Sequence, residues 1–210
     1  MTGLVAGIPD VAAAVAPRPR PLSVVAIGAS AGGVAALPVV LTALPPDLAA
    51  AVLVVLHLQP DAHSYLAPIL ARECRLPVQE ARDGDVVALG VVYVAPRAVH
   101  LTLRNGLVLL TDAPREHFSR PSVDVLFRSV AAACGARAVG VILTGVGGDG
   151  AAGLRAIRAG GGRTIVQDPA DASHGGMPGA ALATGCADQM LPVAEIGAAV
   201  VALVGGGAGD

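Results

Sequence analysis

A mostly parallel α/β sheet, doubly wound with helices on both faces, is the fold class this sequence predicts. Three observations predict it. Apolar runs such as Ala51-Val52-Leu53-Val54-Val55-Leu56 are continuous rather than alternating, as strands buried on both faces read. Such runs alternate with segments of helical period along most of the chain. Asn105-Gly106, flanked by alternating residues, adds an antiparallel β-hairpin to that pattern.

Taken in order, residues 1–21 are expected to be a tail, because Pro17-Arg18-Pro19-Arg20-Pro21 can continue neither a helix nor a sheet ladder. The domain is expected over 22–204, with a glycine-rich tail at 205–210. Its first strand, Ser23-Val24-Val25-Ala26-Ile27, ends in Gly28-Ala29-Ser30-Ala31-Gly32-Gly33. A helix follows, since Val34, Leu37, Val40, Leu41 and Leu44 recur at spacings of three and four. The second strand, 51–56, ends on His57, and Ser64 is placed to cap a helix bearing Leu66, Ile69, Leu70 and Cys74. Between 77 and 112 lie short strand-like runs at 78–81, 91–95, 101–103 and 107–110. This region is expected to carry antiparallel strands. After a polar loop, Ser122 caps a helix whose face holds Val123, Leu126, Phe127, Val130 and Cys134. A buried strand at 138–143 runs into Thr144-Gly145-Val146-Gly147-Gly148-Asp149-Gly150, and a helix through Leu154 and Ile157 follows. A strand at 163–167 reaches Asp168-Pro169. A loop with His174, a helix near 178–184, a strand near 189–191 and a last helix complete the chain.

The chain of 210 residues is long enough for one domain with a real core. Apolar residues make up 54% but aromatics only 2%, so Ala, Val, Leu and Ile must build that core. A net charge of −2 and the absence of Trp give neither the field nor the stacking platform for nucleic acid. No apolar run reaches the roughly 20 residues of a spanning helix, and the N-terminus lacks a basic region ahead of its apolar residues. A cytoplasmic protein without membrane insertion is expected. Cys74, Cys134 and Cys186 are odd in number and widely spaced, which suits buried thiols better than disulfides or zinc.

Gly28-Ala29-Ser30-Ala31-Gly32 fits G-x-S-x-G, where glycines let the backbone bend sharply and expose a serine hydroxyl at a strand's carboxyl end. The same pentapeptide also fits a turn tightened for packing, or a phosphate-cradling loop. Ligands of open α/β sheets bind outside the carboxyl ends of the strands. That rim collects Ser30, His57, Asp149 and Asp168, with His174 in a nearby loop. A serine nucleophile needs a base, and the base needs a carboxylate to hold its tautomer. His57 and His174 compete as base; Asp149 and Asp168 tie as carboxylate. His63, His100 and His117 are explained by surface polarity, and no histidine spacing suggests a metal. A rival reading comes from Gly145-Val146-Gly147-Gly148-Asp149-Gly150, which fits G-x-G-x-x-G, with Asp168 lying 18 residues beyond Gly150. That is close to a dinucleotide-binding fingerprint, and would make the chain a nicotinamide-dependent oxidoreductase. Against it, Asp149 puts negative charge where a pyrophosphate would sit, and Ser30 and His57 are left without roles. A catalytically inert binding module of the same fold is a third reading.

In order along the chain, several blocks resemble the catalytic domain of the chemotaxis protein-glutamate methylesterases, the CheB family. They are Ile27-Gly28-Ala29-Ser30-Ala31-Gly32-Gly33; His57 with Pro60; Val92-Tyr93-Val94-Ala95-Pro96 with His100; Arg120-Pro121-Ser122-Val123-Asp124-Val125-Leu126-Phe127; Leu143-Thr144-Gly145-Val146-Gly147-Gly148-Asp149-Gly150; and Gln167-Asp168-Pro169 with Met177-Pro178. The resemblance runs from about residue 24 to 193. It implies a parallel-rich sheet with a hairpin and a Ser-His-Asp triad of Ser30, His57 and Asp149. It also implies oxyanion stabilisation by backbone N–H groups, Val146 among them. The implied reaction is hydrolysis of glutamate γ-methyl esters on the cytoplasmic domain of chemoreceptors, without a cofactor, and in some members glutamine deamidation. Arg120 is a candidate for docking an acidic receptor surface, with a structural salt bridge as the alternative. Three departures bear on substrate preference rather than on the triad. Ala31 stands where members often have threonine, His57-Leu58-Gln59-Pro60 where they have His-Met-Pro, and Gly148 where they have asparagine. Members also carry an N-terminal receiver domain. Only about 21 residues precede the first strand here, so control by such a domain in the same chain is not expected.

Overall fold

The computed structural model describes residues 22–57 and 66–205. The expected tail at 1–21, the residues beyond Gly205, His63 and the Ser64 cap lie outside the described residues. Strand β1 (Val24–Ala29) leads into helix α1 (Gly33–Thr42), and β2 (Ala51–Leu56) is followed by α2 (Leu66–Glu73). Two short strands, β3 (Val78–Glu80) and β4 (Val92–Val94), precede the hairpin of β5 (His100–Arg104) and β6 (Leu107–Thr111). Then come α3 (Val123–Cys134), β7 (Ala138–Ile142), α4 (Ala151–Ala159), β8 (Arg163–Gln167), α5 (Gly176–Leu182), β9 (Gln189–Leu191) and α6 (Val193–Gly205).

Seven strands form one sheet in the order β3-β4-β2-β1-β7-β8-β9, every neighbouring pair parallel. The chain starts at the centre, winds outward through β2, then returns to the other side of β1 through β7. The place where winding reverses is where such sheets open a crevice. Both faces of the sheet are covered, which is why its strands read as unbroken apolar runs. On one face Val25, Ile27, Val52 and Val54 pack against Leu37 and Leu41 of α1, Leu70 of α2 and Val200 of α6. On the other, Val24, Ala26 and Leu53 pack with Phe127 of α3, Leu154 and Ile157 of α4, and Leu101 and Val108 of the hairpin. Among the described residues no helix is long and apolar enough to cross a membrane.

The region 77–112 corrects an expectation. Of its strands only β5 and β6 pair antiparallel, in the register Leu101↔Leu110 and Leu103↔Val108 around Asn105-Gly106, with a lone antiparallel bridge from Val86 to Leu107 beside them. The runs at 78–81 and 91–95 supply β3 and β4, which extend the parallel sheet beside β2. The connection between them contains no helix. It is pinned by the Tyr93 hydroxyl, which accepts from the Ala88 N–H at 3.0 Å and donates to the Val86 carbonyl at 3.2 Å. Strands of three residues carry too little pattern to announce their direction. The cysteines are free; Cys134 is buried, and burial pushes its thiol up to about 11 despite nearby Arg137, whereas Cys74 and Cys186 are only partly covered.

Candidate active site

Three strand ends build the site. The β1–β2 register pairs Ala29 with Leu56, so Ser30 and His57 are the next residues on neighbouring strands, whose axes lie about 4.8 Å apart. The His57 N–H donates to the Ala29 carbonyl at 3.0 Å, and the Ser30 N–H donates to the Thr144 carbonyl at 3.0 Å. The second bond ties the nucleophile candidate to the loop after β7. Gly145 in that loop lies hard against Ser30. A Cβ built on it would sit 2.9 Å from the Ser30 Cβ and 2.2 Å from Met177 Sδ.

Asp149 ends the same loop and is only 3% exposed. Its Oδ2 accepts from His57 Nε2 at 2.8 Å and from the Val123 N–H at 2.8 Å; its Oδ1 accepts from the Ser122 hydroxyl and the Asp124 N–H, each at 2.9 Å. The carboxylate therefore plugs the N-terminus of α3, where unpaired N–H groups and the helix dipole favour an anion. Burial alone would raise its pKa. The bonds from His57, Asp124 and Val123 outweigh burial and hold it below the usual carboxylate range. The ionised carboxylate only accepts, so His57 Nε2 carries the proton and Nδ1 keeps a free lone pair. No hydrogen bond joins Nδ1 to Ser30 Oγ among the described residues. Gly150, at φ +99°, makes the turn into α4, and a Cβ there would meet Ile142 Cδ1 at 2.5 Å.

The competitors are used elsewhere. His174 is exposed; its N–H donates to Thr144 Oγ1 at 2.8 Å and its carbonyl accepts from the Gly145 N–H at 2.9 Å, so it contributes backbone, not imidazole. Asp168 Oδ1 accepts from the Ala170 N–H at 2.8 Å and serves its own turn. Two residues were missed from the sequence. Ser122 caps α3 as expected, accepting from the Val125 N–H at 3.4 Å, but its hydroxyl also donates to Asp149. His100 is fully buried, so surface polarity does not explain it. Its Nδ1 accepts from the Ser122 N–H at 3.2 Å, and its Nε2 lies 3.0 Å from the Pro114 carbonyl. A buried polar side chain in a loop-rich stretch leaves no periodic mark on a sequence.

Neither the Ala31 nor the Val146 N–H finds an acceptor among the described residues. Val146 is exposed and Ala31 half-buried on the same rim. Arg120 donates from Nη1 to the carbonyls of Asp112 and Ala113, a backbone clamp, and among the described residues it pairs with no carboxylate. Arg120 and His57 line one cleft of about 190 Å³. Ligand atoms of His117, Asp124 and Asp149 lie within 4.8 Å of one another. The grouping suits a cation poorly, because Asp149 already accepts four bonds at the positive end of a helix. Asp124 is the second buried carboxyl here. Burial raises its pKa; the Gly153 N–H lowers it and the Asp149 charge raises it further.

The CheB methylesterase family matches residues 25–200. A "protein-glutamate methylesterase/protein-glutamine glutaminase 2" of Anaeromyxobacter dehalogenans is 48% identical over 179 residues, 85% of this chain and 52% of that protein. One of the same name from Cupriavidus metallidurans is 44% identical over 200 residues, 95% of this chain and 59% of that protein. The chain thus spans about half the length of the curated relatives it matches. The crystal structure of the Thermotoga maritima CheB methylesterase catalytic domain superposes with a TM-score of 0.83 at 34% identity, covering 87% of this chain and 98% of that one. These likenesses do not support the dinucleotide reading of the Gly145–Gly150 loop. With the parallel sheet, the hairpin and the rim that joins β1, β2 and β7, they show that the chain belongs to the CheB methylesterase family.

Proposed function

We propose that this chain hydrolyses glutamate γ-methyl esters on the cytoplasmic helices of chemoreceptors through an acyl-enzyme on Ser30, as part of chemotactic adaptation in the cytoplasm. The observation that carries the reading is the Asp149 carboxylate, held by the N-terminus of α3 and bonded to His57 Nε2 at 2.8 Å. It fixes the tautomer in which Nδ1 accepts the proton of Ser30. Ser30 Oγ attacks the ester carbonyl carbon while Nδ1 takes its proton, and the carbonyl electron pair moves onto oxygen. The N–H groups of Ala31 and Val146 meet that oxyanion. As the intermediate collapses, the imidazolium returns the proton to the departing methoxide, which leaves as methanol. Water then attacks the acyl-enzyme by the same route and frees the glutamate carboxylate. Arg120, clamped at the cleft, draws in acidic substrate surface. Hydroxyl, imidazole and carboxylate suffice, so no cofactor is called for.

A second reading is favoured by the relatives, whose names include protein-glutamine glutaminase. Attack on a glutamine side-chain amide needs the same acyl-enzyme, with ammonia leaving in place of methanol.

The test is methanol release from methylated receptor membranes by wild type, Ser30→Ala and His57→Ala. Each substitution is expected to lower the rate by roughly 10⁴-fold or more. A Ser30→Ala protein with wild-type rates overturns the mechanism. Labelling of Ser30 by a fluorophosphonate separates an esterase from an inert binding module.

A further inference from the structure

The segment between β6 and α3 contains a turn that local sequence preference does not explain. Glu116 and Ser119 pair as an antiparallel bridge, through Glu116 N–H to the Ser119 carbonyl at 3.2 Å and Ser119 N–H to the Glu116 carbonyl at 2.8 Å. The two residues between them, His117 and Phe118, have φ of +48° and +61°. A two-residue turn with both central φ values positive is the kind that Asn-Gly normally fills. Positive φ in a bulky residue is a genuine outlier. The turn is nevertheless held on both sides by α3. Arg128 Nη2 bonds the Glu116 carboxylate at 2.5 and 2.6 Å, and His117 Nε2 lies 3.1 Å from Asp124 Oδ2.

What the turn presents is Phe118, 95% exposed. An aromatic ring in water gains nothing for the fold. Phe118 lines the same cleft as His57. Ala98, at φ +61°, lines it too, so of the four non-glycine residues with positive φ among the described residues, two stand at this cleft and a third, His117, is next to it. Strained backbone gathers where structure is held for function. Arg97, Arg115 and Arg120 complete the charged lining, and no carboxylate is among the described residues there.

We propose that Phe118 is a docking residue. It seats in the apolar seam of an acidic, amphipathic substrate helix while Arg115 and Arg120 meet that helix's carboxylates, setting the esterified glutamate at Ser30. An exposed aromatic ringed by cationic side chains matches a partner that is apolar along one stripe and acidic beside it. This inference rests on the esterase reading and adds the element that selects the substrate.

The experiment compares wild type, Phe118→Gly and Phe118→Leu in three measurements: methanol release from methylated receptor membranes, fluorophosphonate labelling of Ser30, and the thermal midpoint. Glycine adopts φ +61° without strain, so Phe118→Gly should melt no lower than wild type. It should raise KM for receptor about tenfold to thirtyfold, as loss of an aromatic anchor does, with kcat and the labelling rate within about twofold. Phe118→Leu should keep most of the wild-type KM. An unchanged KM in Phe118→Gly overturns the inference while leaving the esterase reading intact. So does a fall in labelling parallel to turnover, which would mean a disturbed active site. A wild type that labels normally yet releases no methanol refutes the esterase reading, and this inference with it.

Discussion

Ser122→Ala tests whether the α3 cap and the His57–Asp149 pair are one structure. The substitution removes the hydroxyl bond to Asp149 Oδ1 at 2.9 Å and the cap bond from the Val125 N–H at 3.4 Å. A hydrogen bond to an ionised group is worth about 1.5–3 kcal/mol. Loss of a helix cap costs about 1 kcal/mol, and the long contact here puts it at or below that value. The expected loss is therefore about 2–4 kcal/mol, a large part of the roughly 5–15 kcal/mol that holds a domain together. Urea unfolding should show a lower midpoint at an unchanged m-value. The pH dependence adds a second readout. Asp149 has a depressed folded pKa, so its contribution is present above the ordinary carboxylate value and lost as pH falls through the folded one. Removing one of its donors raises the folded value. The acid loss of stability, which starts near the ordinary carboxylate value in both proteins, should then be smaller and complete at higher pH in Ser122→Ala than in wild type. A variant with the wild-type urea midpoint and the wild-type acid limb would refute the idea that this hydroxyl holds the carboxylate.

Gly145→Ala should be costly for two reasons, since its Cβ would meet Met177 Sδ at 2.2 Å and the Ser30 Cβ at 2.9 Å. About 1–3 kcal/mol of stability should be lost to overpacking, and fluorophosphonate labelling should slow by roughly 10²-fold as Ser30 is displaced; labelling at the wild-type rate would contradict the packing. Asp124→Asn should behave in the opposite sense to loss of an Asp149 donor. The folded pKa of Asp124 is raised, so wild type carries that group's contribution at low pH and loses it as pH rises through the folded value. An asparagine oxygen can still accept from the Gly153 N–H, as Asp124 Oδ1 does at 2.5 Å. The stability difference between variant and wild type should shift in the variant's favour from below the ordinary carboxylate value of about 3.9 up to neutrality. A difference independent of pH would count against it.

Much of this architecture is legible in the chain. The abrupt stop of an apolar run at Gly28-Ala29-Ser30 locates β1 and the turn into α1, because period and glycine content are local properties. The same holds for α3, whose start at Ser122 and apolar face are both found. What the residues alone leave open is non-local. Asp149 and Asp168 both follow a strand and precede a turn; what separates them is that α3 aims its N-terminus at one and not the other. His100 reads as a hairpin residue, and only the approach of α3 shows it bonded to Ser122. The directions of β3 and β4 depend on which neighbour each three-residue strand meets, and that is decided by the sheet as a whole.

His57 and Asp149 stand 92 residues apart in sequence. Closing a loop of that length costs about 4 kcal/mol of chain entropy. The single bond between them, worth about 1.5–3 kcal/mol, cannot offset that. The six residue pairs of β1 with β2 and the five of β1 with β7 must close the loop instead. The geometry of the candidate site is thus imposed by the sheet and not by the bond within it. No contiguous fragment shorter than the Ser30-to-Asp149 span could hold the arrangement.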